Sequence, residues 1–417
     1  MRDTVAPSEK QTDAVVVNWP RLQVLMEQAG VDAVVASTPV NVTYVSDFWS
    51  VSHWTRRSAQ AFAIAGRSST RAIGLVVPLG NADLVPADGH RAPDFVESYD
   101  RFVFTPPREP QANLEPEAAQ LLSIVAGHPD AERGPIDALA EAIRRVGGNT
   151  AHIAIEYDGL LHGDNVRLHS LLPDIRFTDG LPLLRAARSI KTAEEIRRLR
   201  RAAGISADAF QAAVADSHPG DTELDVQRRF HAALAMQDGT PFLTSITSGP
   251  RTALPNGQAG GRQLQEEDGI RFDGGCRYLH YVSDIARIAA FEAYPSTHRA
   301  YYRAVVNGLE AAVDVARAGA RAADVFAAAV DAVRRSGIPH YERSHCGHGI
   351  GIENYDAPRI TPASTDVLEV GMVICLETPY YEIGLGGVQA EDTFLVTEDG
   401  LEPFSTTPPE PIPAGTG

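Results

Sequence analysis

Two consecutive folding units are predicted from the sequence: an α/β domain over residues 17–175 and an α+β domain over residues 192–406. Short apolar runs alternating with amphipathic segments point to the first. Helical patterns that give way to closely spaced strand-like runs point to the second, with its helices on one largely antiparallel sheet. With 417 residues, 44% apolar and 22% charged, the chain has ordinary globular composition and enough length for two or three domains.

Residues 1–16 are polar and read as a disordered lead. Apolar spacing then predicts a helix over 20–29, extended segments over 32–37, 62–65 and 73–78, a helix over 136–146 and a further strand over 151–157. Residues 176–191 read as a linker. The second domain opens on Thr192-Ala-Glu-Glu195, a capping box in which the Thr oxygen and the Glu carboxylate satisfy the first unpaired amides of a helix. Ile196, Leu199, Ala203, Phe210 and Val214 continue it at helical spacing, so one face is buried. Further helices are expected from Thr222, over 296–316 and over 323–335, and strands over 269–275, 277–291, 371–381 and 387–396. Residues 407–417, dense in Pro and Gly, read as a disordered tail, and neither end is expected to carry chemistry. No repeat of solenoid period is present.

Acidic side chains outnumber basic ones by 54 to 37, a net charge of −17. Nucleic acid and anionic membrane surfaces would meet repulsion over most of such a protein, so neither is expected as a partner. Cys276, Cys346 and Cys375 are too few and odd in number for a disulfide framework and suit a reducing compartment, as small buried thiols. No apolar run is long enough for a spanning helix. These features lead to the expectation of a soluble cytoplasmic protein.

Five potential metal ligands fall in the second domain, each on a predicted strand or at a glycine-rich bend. Asp273 and Asp284 lie eleven residues apart, and Gly274-Gly275 between them would permit a hairpin turn that sets both carboxylates on one sheet face. His348 sits among glycines in Gly347-His-Gly-Ile-Gly351, Glu377 ends the apolar run Met-Val-Ile-Cys-Leu, and Glu391 interrupts Val-Gln-Ala-Glu-Asp-Thr. A carboxylate ending an apolar strand is costly unless it is paired or binds a cation. Four carboxylates and one imidazole suit divalent manganese, cobalt, iron or zinc better than a structural zinc site, which favours thiolates.

The ordered contexts Phe-Asp273-Gly-Gly, Ser-Asp284-Ile-Ala-Arg, Gly-His348-Gly-Ile-Gly, Leu-Glu377-Thr-Pro and Ala-Glu391-Asp-Thr resemble the pita-bread metallopeptidases, the family of prolidase, aminopeptidase P, methionine aminopeptidase and creatinase. Residues 31–46 also look like the N-terminal domain of the creatinase and prolidase branch, so the resemblance covers about 20–405. It implies a pita-bread second domain with two divalent ions, manganese first among them. Asp284 and Glu391 would bridge the ions, Asp273 would bind one, and His348 with Glu377 the other. A bridging hydroxide would attack a peptide or amide-like C–N bond in a small Xaa-Pro substrate, with Glu377 shuttling its proton. The family often forms homodimers, and Tyr44, Trp49 and Trp54 are either core or reach a neighbouring subunit.

The sequence departs from that pattern where substrate is handled. Asn256 stands at one family histidine position and Tyr355 at another, while Gln389 replaces an arginine common before the last ligand. Asn256, Tyr355, Gln389 and His345 are therefore the candidate substrate-binding residues, with Glu377 and Tyr355 as catalytic candidates. His345 and His280 are expected near the metals or on the pocket wall, not as ligands. Tyr355 can donate a hydrogen bond to an oxyanion but shuttles protons near neutral pH far less well than histidine. Two other functions compete: a specialised enzyme on the same scaffold, such as a creatinase-like amidine hydrolase or a metal-assisted lyase, and a non-catalytic binding protein.

Overall fold

The computed structural model describes residues 16–55, 60–67, 72–87, 91–108, 113–129, 133–148 and 150–417, and the elements below are those among them. The chain divides into two compact units, Met1–Arg188 and Ser189–Gly417. The expected lead lies outside the described residues except for Val16, which is buried.

The first unit is α/β. Its elements are α1 (Trp19–Ala29), β1 (Ala33–Ala36), α2 (Pro39–Ser46), α3 (Val51–Thr55), β2 (Phe62–Gly66), β3 (Ala72–Pro78), β4 (Phe95–Tyr99), α4 (Pro116–Gly127), α5 (Pro135–Gly147), β5 (His152–Ile155), α6 (His162–Leu171), β6 (Arg176–Asp179) and α7 (Leu181–Ser189). The Asn18 side chain caps α1, and Gly30 ends it in the left-handed conformation at φ 63°. The strands form one mixed sheet in the order β4-β3-β2-β1-β5-β6. Ile136, Leu139 and Ile143 line the inner face of α5 and pack with Val35, Ile64 and Ile153 of the sheet. Tyr44 is fully buried in this unit, its hydroxyl accepting a hydrogen bond from the Asn18 amide at 2.9 Å. The expected linker is corrected here: β6 pairs in parallel with β5, so residues 176–179 complete the first sheet and α7 follows them. The polar alternation of Arg176-Phe-Thr-Asp179 suits a sheet edge, which is why it carries no core-strand pattern.

The second unit is α+β. It contains α8 (Ala193–Ala215), α9 (Glu223–Ala235), β7 (Thr240–Ser248), β8 (Gly269–Tyr278), β9 (Tyr281–Val282), β10 (Ile285–Ala290), α10 (Ser296–Val315), α11 (Ala322–Arg335), β11 (Gly347–Gly349), β12 (Asp356–Arg359), β13 (Val373–Glu377), β14 (Tyr380–Glu382), β15 (Gly386–Val388), β16 (Glu391–Val396), β17 (Leu401–Pro403) and β18 (Ile412–Pro413). The Thr192–Glu195 capping box opens α8 as expected, and Thr222 with Asp225 forms a second such box at α9. The main sheet runs β12-β11-β13-β16-β10-β8-β7. Side chains alternate across it: Ile270 and Phe272 of β8 meet Phe210 and Phe230 of the helices, and Ile374 and Leu376 of β13 join Val305, Leu309 and Val333. Arg271, Asp273, Cys375 and Glu377 therefore project to the opposite face.

Two further expectations are corrected. The segment 407–417 is ordered: β18 pairs in parallel with β10, the Ala414 amide donates to the Ala290 carbonyl at 3.0 Å, and the Tyr302 hydroxyl donates to Pro408 O at 2.9 Å. A peripheral strand tolerates prolines because only one of its sides forms a ladder. The hairpin turn is not at Gly274-Gly275, which lie inside β8; Leu279 and His280 make it, at φ 44° and 73°. Gly274, at φ 130°, passes the Leu243 carbonyl so closely that a Cβ would overlap its oxygen, beside a bulge between Phe242 and Ser245.

Candidate metal centre

Strand register assembles the candidate ligands. Glu377 faces Glu391, Glu391 faces Ala286, Ala286 faces Asp273 and Asp273 faces Ser245, a single row across β13, β16, β10, β8 and β7. Partners in such a row share a face, and positions two residues away share it too. Asp284 precedes Ala286 by two, and Cys375, two before Glu377, faces His348 on β11. All five residues singled out in the sequence thus reach one face of one sheet, although 118 residues separate the first from the last.

Ligand atoms of Asp273, Asp284 and Glu391 lie within 4.8 Å of one another, and so do those of His348, Cys375 and Glu391. Glu391 belongs to both groups. Glu377 stands beside them and is held from the other side: His345 Nε2 lies 2.9 Å from its Oε1 and Arg343 Nη2 3.5 Å from its Oε2. Arg271 donates to Asp273 at 2.9 Å, Asn354 to Asp284 at 3.0 Å and the Gln389 amide to Glu391 at 3.2 Å.

The electrostatics sort these carboxylates. Burial, then the charge of Asp273, push Asp284 well above the usual carboxylate range, against the Asn354 hydrogen bond. Burial followed by Asp284, Glu377 and Asp273 does the same to Glu391. Asp273 is raised by burial, with Arg271 opposing. Burial also acts upward on Glu377, yet the His345 hydrogen bond with Arg343 and the imidazoles holds it below the ordinary value. Burial lowers His348, keeping the ring neutral. Its Nδ1 lies 3.0 Å from the Gly349 carbonyl, which assigns the proton there and leaves Nε2 as a buried acceptor with no hydrogen-bond donor among the described residues, 3.8 Å from Asp284 Oδ2. Clustered acceptors that repel one another and an imidazole nitrogen with no donor fit divalent cations.

A cavity of about 480 Å³ opens onto this centre, lined among others by Ser245, Asn256, Asp273, Asp284, Asn354 and Tyr355. The Tyr355 ring packs against His348, tilted by 33° with centroids 4.0 Å apart. Asn256 and Tyr355 therefore both line the cavity beside the candidate ligands. Gln389 does not: it is buried, its carbonyl oxygen accepting from Arg271 at 2.7 Å and from Tyr381 at 2.8 Å. Its expected role as a substrate contact is corrected to a link between Arg271 and Glu391. His345 holds Glu377, and His280 occupies the turn between β8 and β9, not the cavity wall.

Sequence reasoning overlooked four neighbours. Arg271 and Asn354 had a visible signal, since each lies close to a ligand motif and Arg271 shares a strand face with Asp273. Arg343 had none, because its reach to Glu377 depends on how the segment before β11 turns back. Cys375 was read as a buried apolar thiol, and it is buried and free, but its sulfur also stands among the ligand atoms.

Residues 197–398 match the model of metallopeptidase family M24, and residues 19–190 match the creatinase/prolidase N-terminal domain. An Xaa-Pro dipeptidase of Lactobacillus delbrueckii subsp. lactis is 30% identical over 290 residues, covering 69% of this chain and 78% of that one. An Xaa-Pro dipeptidase of Pyrococcus furiosus is 34% identical over 227 residues, covering 54% of this chain, and the match spans 65% of the relative's own length. Among solved structures, an Xaa-Pro dipeptidase from Bacillus anthracis superposes with a TM-score of 0.75 at 24% identity, over 95% of this chain and 98% of that one. The prolidase from Pyrococcus furiosus superposes at 0.71 with 26% identity, over 93% and 99%.

Proposed function

Because the chain belongs to metallopeptidase family M24 and carries that family's pita-bread fold, we propose that it is a metal-dependent hydrolase that cleaves a peptide or amide-like C–N bond in a small substrate, with Xaa-Pro dipeptides first. The observation that carries this reading is the row of Asp273, Glu391 and Glu377 across adjacent strands, with Asp284 and His348 on the same face. The names of the dipeptidase relatives support the substrate class.

Asp273, Asp284, His348, Glu377 and Glu391 would hold two divalent ions, with manganese the first to test because four of the five donors are carboxylates. When bound, such a pair polarises a carbonyl and brings the pKa of water toward neutrality. Glu377, kept as a carboxylate by His345 and Arg343, accepts the proton of the attacking water and returns it to the leaving nitrogen. Tyr355 keeps its own proton, since burial and then the charge of Glu377 push it above the ordinary tyrosine value, so its hydroxyl serves as a donor to the developing oxyanion. Asn256 offers a neutral amide to the substrate's polar end. A cytoplasmic homodimer belongs to the same proposal, on the family resemblance and the three free cysteines.

The test is release of free proline from a panel of Xaa-Pro dipeptides by the manganese-loaded full chain, with the Asp284→Asn protein as the blank. Turnover absent from the blank supports the reading. Silence across the panel with metal demonstrably bound refutes it for dipeptides and moves the substrate to a non-peptide amide or amidine.

A further inference from the structure

Arg271 is a fully buried cation on a β-strand, and its contacts go beyond neutralising one acid. One terminal nitrogen donates to Asp273 Oδ2 at 2.9 Å and to Gln389 Oε1 at 2.7 Å. The Gln389 amide passes the contact on to Glu391 at 3.2 Å. The other terminal nitrogen donates to Ser245 Oγ at 3.1 Å and to the carbonyls of Leu254 and Pro255 at 2.8 and 2.7 Å. Those two carbonyls immediately precede Asn256 on the cavity wall. The Tyr381 ring packs against the guanidinium at 5.4 Å, and the Tyr381 hydroxyl closes the circuit on Gln389.

We propose that Arg271 is a positioning residue that couples the metal-binding carboxylates to the substrate-cavity wall, one nitrogen setting Asp273 and, through Gln389, Glu391, the other fixing the 254–256 backbone that presents Asn256. The inference rests on the metal-dependent reading of the centre. A planar fork with donors on both sides can serve two structures at once, whereas an ammonium on a flexible stem cannot hold that geometry. Chain topology explains how the arrangement arose without an arginine at position 389. Arg271 faces Ile288 on β10, and Gln389 lies beyond that strand, two residues before Glu391, so a guanidinium from β8 reaches the carboxylates from the opposite side. Only from that side can it also reach the Leu254 and Pro255 carbonyls.

The experiment uses full-length Arg271→Lys and the double variant Arg271→Met/Gln389→Arg, with two readouts independent of turnover: manganese affinity by calorimetry and hydrogen exchange of the Leu254, Asn256 and Gly257 amides. Arg271→Lys is expected to weaken manganese binding by roughly 10- to 100-fold, the usual effect of losing a partner of a metal ligand, and to speed exchange at those amides. The double variant is expected to recover metal affinity to within about tenfold while the loop stays fast, because a guanidinium at 389 serves the carboxylates alone. Loop protection and affinity both unchanged in Arg271→Lys, or both lost or both restored in the double variant, would overturn the coupling. These outcomes are separate from the dipeptidase test: inactivity on dipeptides leaves both readouts standing, and failure of the coupling leaves proline release untouched.

Discussion

Asp284→Asn should make the metal-free protein more stable while removing its response to metal. In the native centre the ligand oxygens of Asp273, Asp284 and Glu391 all lie within 4.8 Å of one another. Two unit charges at that separation repel by about 3.5 kcal/mol at an effective dielectric of roughly 20. The substitution deletes two of the three pairs, and Asn354 can still donate to the amide oxygen that replaces Asp284 Oδ2. Proton uptake already relieves part of the repulsion, so the net gain expected at pH 7.5 is about 2–4 kcal/mol, a rise in melting temperature of roughly 5–10 °C. Manganese at a hundred times its dissociation constant should stabilise the wild type by about 2.7 kcal/mol and leave the variant where it was. The pH dependence has a definite sign. Asp284 and Glu391 titrate above their unfolded values, near 4, so above that pH the folded protein holds protons that the unfolded chain has released. Metal-free wild type therefore loses stability as pH rises through that window, and the advantage of the variant shrinks toward pH 5. Thermal melts with chelator at pH 5 and 7.5, and with manganese at pH 7.5, measure all three effects. A metal-free variant that melts below wild type at pH 7.5 would falsify the repulsive-cluster account.

Other perturbations address separate parts of the centre. His345→Ala removes the hydrogen bond that keeps Glu377 below its ordinary value, so burial prevails and the acid limb of the kcat profile moves to higher pH; a limb that stays in place refutes the role given to His345. Asn256→His with Tyr355→His should raise kcat/KM on proline dipeptides by about tenfold or more, within the range of a well-placed acid–base group, and unchanged kinetics would assign specificity to other cavity residues. Gly274→Ala meets the Leu243 carbonyl at a φ of 130°, so a loss of about 1–3 kcal/mol in urea denaturation is expected, with weaker manganese binding as Asp273 shifts. Wild-type stability in that variant would show that the bulge relaxes freely.

Local and ordered information in the chain determined much of this protein. The capping box at Thr192, the helical spacing through Val214 and the apolar runs of β2, β3 and β13 each concern neighbours within a few residues, where sterics and hydrogen bonding leave few choices. The five candidate ligands could be named because each stands in a short motif whose residue types match the chemistry, and their order along the chain supplied the rest. Elements with weak local signal escaped: edge strand β6 is polar, and β18 lies in a proline-rich stretch that acquires order only by pairing with β10.

Tertiary structure alone decided how the ligands meet and what surrounds them. Asp273 and Glu391 are both partners of Ala286, a relation set by strand register and invisible in one dimension. The glycine pair taken for a hairpin turn lies inside β8, where Gly274 passes the bulge of β7, because glycine permits a turn and a close backbone approach equally. Gln389 changed from a substrate contact to a buried relay when Arg271 arrived from across β10, and Arg343 met Glu377 through space. The sequence by itself names the groups able to bind metal, since that ability belongs to each side chain. Which of them share a proton, a cation or a neighbour depends on distances of a few ångströms between segments up to 118 residues apart, and only the folded sheet sets those distances.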